Sequence, residues 1–185
     1  MQGTANIAAA PLGGRIRLLR HSELPQFRDH LLRLDAAGRR DRFNGPTSDA
    51  FVAAYAERCF RDGTLVIGYV DGDRVFGAAE LHERPEEAEP TGEIAFSVER
   101  HLQRQGLGGL LFARLIESAR AFGYERLVVT THPQNEPMKR LARGFNARLR
   151  FEEGETVGMI ELEPVPPLPA RPGAGLFAAR AAARA

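Results

Sequence analysis

The sequence predicts an α+β (mixed α/β) domain, a central mixed, mostly antiparallel sheet flanked by helices. Three observations carry this. Strand-like segments outnumber helical ones, Asp71-Gly72 sits between two of them as a hairpin turn, and one long amphipathic segment connects two β-rich runs as a helical crossover. Read along the chain, the order is β-α-α-β-β-β-α-β-α-β-β.

Residues 15–20, RIRLLR, follow a Gly-Gly break and read as a short strand. Ser22 is placed to cap a helix in which Leu24, Phe27, Leu31 and Leu34 recur every three or four residues, and Gly38 marks its end. The connection RRDRFNGPTS leads to a second helix from Asp49, marked by Phe51, Val52, Tyr55 and Cys59. Residues 64–70 and 74–81 flank Asp71-Gly72 and form the hairpin, and 84–92, RPEEAEPTG, form an acidic surface loop before a strand at 93–98, EIAFSV. Gly106 opens the long helix, with Leu107, Leu110, Leu111, Leu115, Ala119 and Phe122 along one side and Gly123 as its stop. Residues 126–131, RLVVTT, are β-branched and largely uncharged, as a central strand is. Pro133 breaks that strand, Asn135 is a good N-cap, and Pro137 falls in the first helical turn, where its missing N–H does no harm. The helix carries Met138, Leu141, Ala142 and Phe145, and two short strands, 148–151 and 156–161, surround the turn EEGE.

A chain of 185 residues with 43% in the hydrophobic set buries one substantial core and leaves little for a second. The domain is expected over 15–163, with a flexible tail at 1–14 and a Pro/Ala-rich tail at 164–185, where Pro164, Pro166, Pro167, Pro169 and Pro172 prevent a regular element. A net charge of +1 does not suggest a nucleic-acid or anionic-membrane partner, which calls for a basic surface. Cys59 is the only cysteine, so no internal disulfide forms, and it reads as an inert thiol; the five histidines show no tight metal spacing, so no metal is expected. With no apolar run of about 18 residues and no basic leader, the expectation is a cytoplasmic protein, with a homodimer the ordinary assembly.

Gln103–Gly109, QRQGLGG, is the segment that points to chemistry. It lacks the GK[ST] ending of a Walker loop, and Leu111 stands where a dinucleotide fingerprint has its third glycine. A strand, a short polar turn, glycines and a helix start remain, an arrangement that exposes backbone N–H groups at a positive helix end. Gly106 and Gly108 let the main chain approach phosphate oxygens, and Arg104 adds charge; an ordinary tight helix entry accounts for the glycine spacing equally well.

Gln103-Arg104-Gln105-Gly106-Leu107-Gly108 matches the Gln/Arg-x-x-Gly-x-Gly/Ala signature of the GCN5-related N-acetyltransferase (GNAT) superfamily, and residues 92–142 resemble that family's fourth strand, signature helix, fifth strand and next helix in order. Residues 32–43, LRLDAAGRRDRF, are similar to the region between the first two helices in single-domain members akin to bacterial protein acetyltransferases. The resemblance covers roughly 15–163 and implies the GNAT fold and acetyl-CoA as cofactor. It implies that main-chain groups of Phe96, Ser97 and Val98 face the pantetheine arm, that amides of Arg104, Gln105, Gly106, Leu107, Gly108 and Gly109, after Gln103, hold the pyrophosphate, and that Asn135 contacts the cofactor arm.

The implied reaction is acetyl transfer to an amine, on a small molecule or a protein lysine, for which a base, an oxyanion donor and a proton source for the thiolate are wanted. Glu93 and Glu80 are the base candidates, and His132 is the nearest histidine for proton transfer. Two departures stand out. Ala142 occupies the position of the family's common tyrosine, and Asn146-Ala147 replaces its Gly-Phe. The alternative is a non-catalytic acyl-CoA-binding regulatory module. Residues 36–50, with Arg39, Arg40 and Arg42, are where acceptor identity is expected.

Overall fold

A computed structural model describes residues 13–163, so the tails expected at 1–14 and 164–185 lie outside the described residues apart from Gly13 and Gly14. Strand β1 (Arg15–Leu18) leads to helices α1 (Leu24–Arg33), α2 (Ala36–Phe43) and α3 (Asp49–Arg58). Strands β2 (Thr64–Asp71), β3 (Arg74–Glu83) and β4 (Thr91–Val98) follow, then α4 (Leu107–Ala121), β5 (Arg126–Thr131), α5 (Glu136–Gly144), β6 (Arg148–Glu152) and β7 (Glu155–Glu161). All seven strands join one sheet in the order β1-β2-β3-β4-β5-β7-β6. Every neighbouring pair is antiparallel except β4 and β5, whose parallel pairing requires the α4 crossover.

The β2–β3 hairpin turns at Asp71-Gly72 as expected, with Gly72 at φ +56. Because side chains alternate across a strand, each face of the sheet receives its own helices. Ile67, Tyr69, Ala79, Leu81 and Ile94 pack with α4 and Ala142 of α5, whereas Val66, Val75 and Ala78 pack with Phe27 and Leu31 of α1 and Val52 and Ala56 of α3.

Beyond one- or two-residue shifts at strand ends, the structure adds a helix, α2, to the expected order and departs from the sequence reading at the following places. The first helix does not run to Gly38. It stops at Arg33, and α2 begins after Asp35, whose carboxylate accepts the Gly38 N–H at 2.7 Å as an N-cap. Ser22 caps nothing; it sits in a 3-10 turn over His21–Glu23 pinned by the Arg17–Glu23 ion pair at 2.6 Å. Strand β4 starts two residues early, because Thr91 pairs with Arg126 and Gly92 with Leu127. On α4 the buried stripe is Leu107, Leu111, Phe112, Leu115, Ile116 and Ala119; Phe122, expected on it, is the C-cap and is 64% exposed. Past α5, Asn146 adopts φ +63, the left-handed conformation in which asparagine stands in for glycine.

Candidate active site

Strands β4 and β5 pair only at Thr91–Arg126, Gly92–Leu127 and Glu93–Val128. Beyond Glu93, β4 stays with β3 while β5 stays with β7, so the two strands part and leave unpaired main chain on facing edges. A cleft of 490 Å³ opens at the fork. Ile94, Ala95 and Phe96 form one wall and Val129, Thr130 and Thr131 the other, and the end of α2 lies across it. Ile94 shares the α4 face of the sheet, whereas Glu93 registers with His82 and shares the face that α1 and α3 cover in the first half of the sheet. The cleft therefore runs through the sheet, one side toward α4 and the other toward α2.

The glycine turn leads into α4, and neither its residues 103–109 nor Ser97 and Val98 line the cleft. Arg104 (φ +60) and Gly106 (φ +83) reverse the chain, and Gln103 Nε2 donates to the Val98 carbonyl at 2.9 Å while Gln105 Nε2 donates to that of His101 at 2.8 Å. The first helical bond of α4 is Leu110 N–H to the Gly106 carbonyl at 3.2 Å, so the N–H groups of Leu107, Gly108 and Gly109 precede any intrahelical acceptor. A Cβ on Gly109 meets nothing within 4 Å, and one on Gly108 makes only ordinary contact with Leu141 at 3.4 Å. Neither residue has positive φ. Packing and backbone conformation thus require neither glycine, and each costs the helix roughly 0.5–1 kcal/mol relative to alanine. Bare main chain facing open space at a positive helix end fits a phosphate-bearing ligand.

Of the expected cofactor-facing strand residues, Phe96 lines the cleft, its ring stacked on Phe112 at 4.6 Å, and Phe112 stacks in turn on Phe145 at 4.3 Å. The Ser97 side chain points the other way, its hydroxyl 2.9 Å from His30 Nε2. Asn135 lines the cleft and is also the N-cap: its Oδ1 accepts the Met138 N–H at 3.1 Å and its Nδ2 donates to Thr131 Oγ1 at 3.0 Å. The two roles expected of it thus meet on one side chain that is already engaged at both ends.

Glu93 lies on the cleft wall at the last β4–β5 pair. Glu80 is fully buried beneath α2 and is not among the cleft residues. His132 is half-buried, its Nδ1 accepts the Gln134 N–H at 3.2 Å, and it does not line the cleft either. Ala142 is 1% exposed and packs into the α4 core.

A buried polar cluster centres on Glu80. Arg42 Nη2 donates to Glu80 Oε2 at 2.6 Å and Nε donates to Oε1 at 3.3 Å; Tyr55 Oη donates to Oε2 at 2.5 Å and is itself bonded by Arg42. His82 Nε2 is 3.3 Å and Cys59 Sγ 3.5 Å from the same oxygen. Burial alone pushes the Glu80 carboxyl up, but Arg42 and His82 more than offset it and hold it well below the usual carboxylate range. Burial, reinforced by Glu80, pushes the Cys59 thiol and the Tyr55 phenol up, so Cys59 is protonated and inert. Donor atoms of Cys59, Glu80 and His82 lie within 4.8 Å of one another, a grouping that suits a metal in principle, yet the Arg42 guanidinium already supplies the cation at Glu80. These partners are separated by up to 38 residues, so no local pattern announces them.

A second buried group ties α1 to the end of β4. His30 bridges Ser97 and Glu99, and Arg33 Nε donates to Glu99 at 2.9 Å. Burial pushes the His30 imidazole down, only partly countered by Glu99. Among the described residues, no helix is long and apolar enough to cross a membrane.

The sequence model of the acetyltransferase (GNAT) family matches residues 29–147. Among solved structures, the GNAT domain of PAT from S. lividans aligns with a TM-score of 0.71 at 17% identity, covering 80% of this chain and 90% of that one. YncA, a putative acetyltransferase of Salmonella typhimurium solved with its cofactor acetyl-CoA, aligns at 0.60 with 20% identity over 81% of this chain and 94% of its own. A GNAT superfamily phosphinothricin acetyltransferase from Sinorhizobium meliloti, in complex with acetyl-CoA, aligns at 0.60 with 16% identity over 82% and 93%. At these identities the likeness is one of fold. Since the family match spans more than half the sequence, the chain belongs to the acetyltransferase (GNAT) family.

Proposed function

We propose that the chain is an N-acetyltransferase that uses acetyl-CoA to acetylate a primary amine of a small molecule or a protein lysine. The observation that carries this reading is the place of Glu93, on the cleft wall where the two strands part, with no Lys, Arg or His within ion-pair distance of its carboxylate among the described residues. The amides from Arg104 to Gly109 suit the pyrophosphate, the edge of β4 at Phe96–Val98 suits the pantetheine arm, and Asn135 borders it. Bound acetyl-CoA supplies the electrophilic thioester carbonyl. Glu93 takes a proton from the acceptor ammonium, directly or through a water, so that the free amine nitrogen forms the new C–N bond as the C–S bond breaks, and the proton then lost from the acylated nitrogen passes, directly or through water, to the departing thiolate. In this reading Glu80 acts indirectly, by anchoring Arg42 and with it the end of α2, and His132 takes no step.

A thiol-release assay over amines, amino acids and lysine peptides tests the reading, together with calorimetry of acetyl-CoA. Binding without turnover of any amine indicates a non-catalytic acyl-CoA-binding module instead. No binding removes both readings. Gly108→Asp adds bulk and negative charge at the turn and is expected to abolish acetyl-CoA binding; retained affinity places the pyrophosphate elsewhere.

A further inference from the structure

Resting on the reading of this cleft as an acetyl-transfer site, we propose that Glu155 selects the acceptor by holding a second ammonium group: the acceptor is an aliphatic amine with another cationic nitrogen farther along its chain. The charges around the cleft are unequal once their partners are counted. Its two arginines are both engaged, Arg42 by buried Glu80 at 2.6 Å and Arg84 by Glu86 at 2.8 Å. Glu93 and Glu155 have no cation within 4.0 Å among the described residues, although Arg84 also interacts with Glu93 at longer range. Asp41, also on the wall, adds a further carboxylate, with Arg40 at 3.8 Å. Arg148 and Arg150 of β6 register with Met159 and Val157 and share the sheet face of Glu155 without lining the cleft, so the selection rests on the cleft carboxylates themselves and not on the net charge of that face.

The two unpaired carboxylates are set at different depths. Glu93 registers with Val128, whereas Thr156, next to Glu155, registers with Thr131 at the far end of β5. Glu155 therefore lies roughly 13 Å farther along the strand direction, at about 3.3 Å per residue. Val128 registers with Met159, so Glu93, Met159 and Glu155 lie on one face of the sheet. Glu155 also stands two strands from β4, roughly 10 Å across the sheet at about 4.8 Å per strand, so the two backbones are roughly 16 Å apart, and a run of methylenes between two ammonium groups bridges the side chains that extend from them, with Phe43 on the cleft wall.

Glu155 is also held in place. Asn44 Nδ2 donates to Glu155 Oε1 at 2.9 Å, leaving Oε2 for a ligand. Asn44 is the left-handed C-cap of α2 (φ +56), so the α2 turn fixes this donor across 111 residues of sequence. A carboxylate already ordered by such a bond loses less freedom on binding.

The test uses the full chain. Binding of 1,4-diaminobutane and 1-aminobutane to CoA-saturated protein is measured by calorimetry, and kcat/KM for both amines by thiol release from acetyl-CoA. The expected result is a diamine preference of tenfold or more that falls to about one in Glu155→Gln, chiefly through KM, and that Glu155→Asp partly retains. The preference is also expected to shrink with added salt. Equal use of both amines by the parent protein, or a preference that survives Glu155→Gln, overturns the assignment while leaving acetyl transfer standing. If neither amine is acetylated but the diamine binds in a Glu155-dependent way, the recognition stands and the transfer reading falls.

Discussion

Arg42 Nη2 lies 2.6 Å from Glu80 Oε2, with the two side chains 8% and 0% exposed. The pair fastens the last turn of α2 to the middle of β3, and α2 has no buried residue of its own to hold it there. Arg42→Met leaves the buried Glu80 carboxylate with only Tyr55 and His82 as partners and no guanidinium, and is expected to cost about 3–5 kcal/mol in urea unfolding. The double variant Arg42→Met/Glu80→Met is expected to cost less than the sum of the single ones. Additive losses show that the pair is not a unit.

Acid dependence follows from the same pair. The folded-state pKa of Glu80 lies below its ordinary value of 4.5, so the unfolded chain takes up the proton first. The contribution is whole above about that pH and is lost as pH falls through the folded-state value. Glu80→Gln is expected to flatten the decline of stability below pH 4.5, as followed by denaturant midpoints across pH. An unchanged acid limb counts against the depressed carboxyl.

His30 acts at a higher pH with the same sign. Burial lowers its pKa from 6.5, so below that pH the unfolded chain binds a proton that the native state resists. Stability is expected to fall as pH drops through about 6.5. Thermal melts of His30→Gln, which keeps a hydrogen-bonding side chain beside Ser97, are expected to show a shallower slope there. A slope equal to that of the parent removes His30 as its source.

Gly109 separates folding from ligand binding. Gly109→Ala adds a methyl into open space and is expected to stabilise the fold by roughly 0.5–1 kcal/mol. It also crowds the amides at the α4 N-terminus and is expected to weaken acetyl-CoA binding tenfold or more by calorimetry. Higher stability with unchanged affinity shows that the ligand does not approach this glycine.

What could be read in advance was local. Asp71-Gly72 determines its own hairpin, and the stripe from Leu107 to Ala119 shows in its 3.6-residue period. Helix α2 escaped because its residues, AAGRRDRF, offer no apolar stripe and Gly38 resembles a stop; the usable signal was Asp35, three residues before the N–H that it caps. The fork between β4 and β5 escaped because both segments have ordinary strand character, and only their partners on the far sides, β3 and β7, pull them apart. In sequence Arg42 groups with Arg39 and Arg40 as a basic cluster, since its partner Glu80 belongs to another element. Glu155, inside the turn EEGE, carries no local signal, because its significance depends on Asn44 far upstream.

The fork has a mechanical consequence. Three residue pairs are all that join the β1–β4 half of the sheet to the β5–β7 half by strand pairing, so the sheet is nearly two plates hinged along a short seam. A ligand that bonds to the free edges of both strands completes the interrupted ladder as a removable rung. Such a ligand is expected to slow amide exchange along both edges together, beyond what the core shared through α4 already provides.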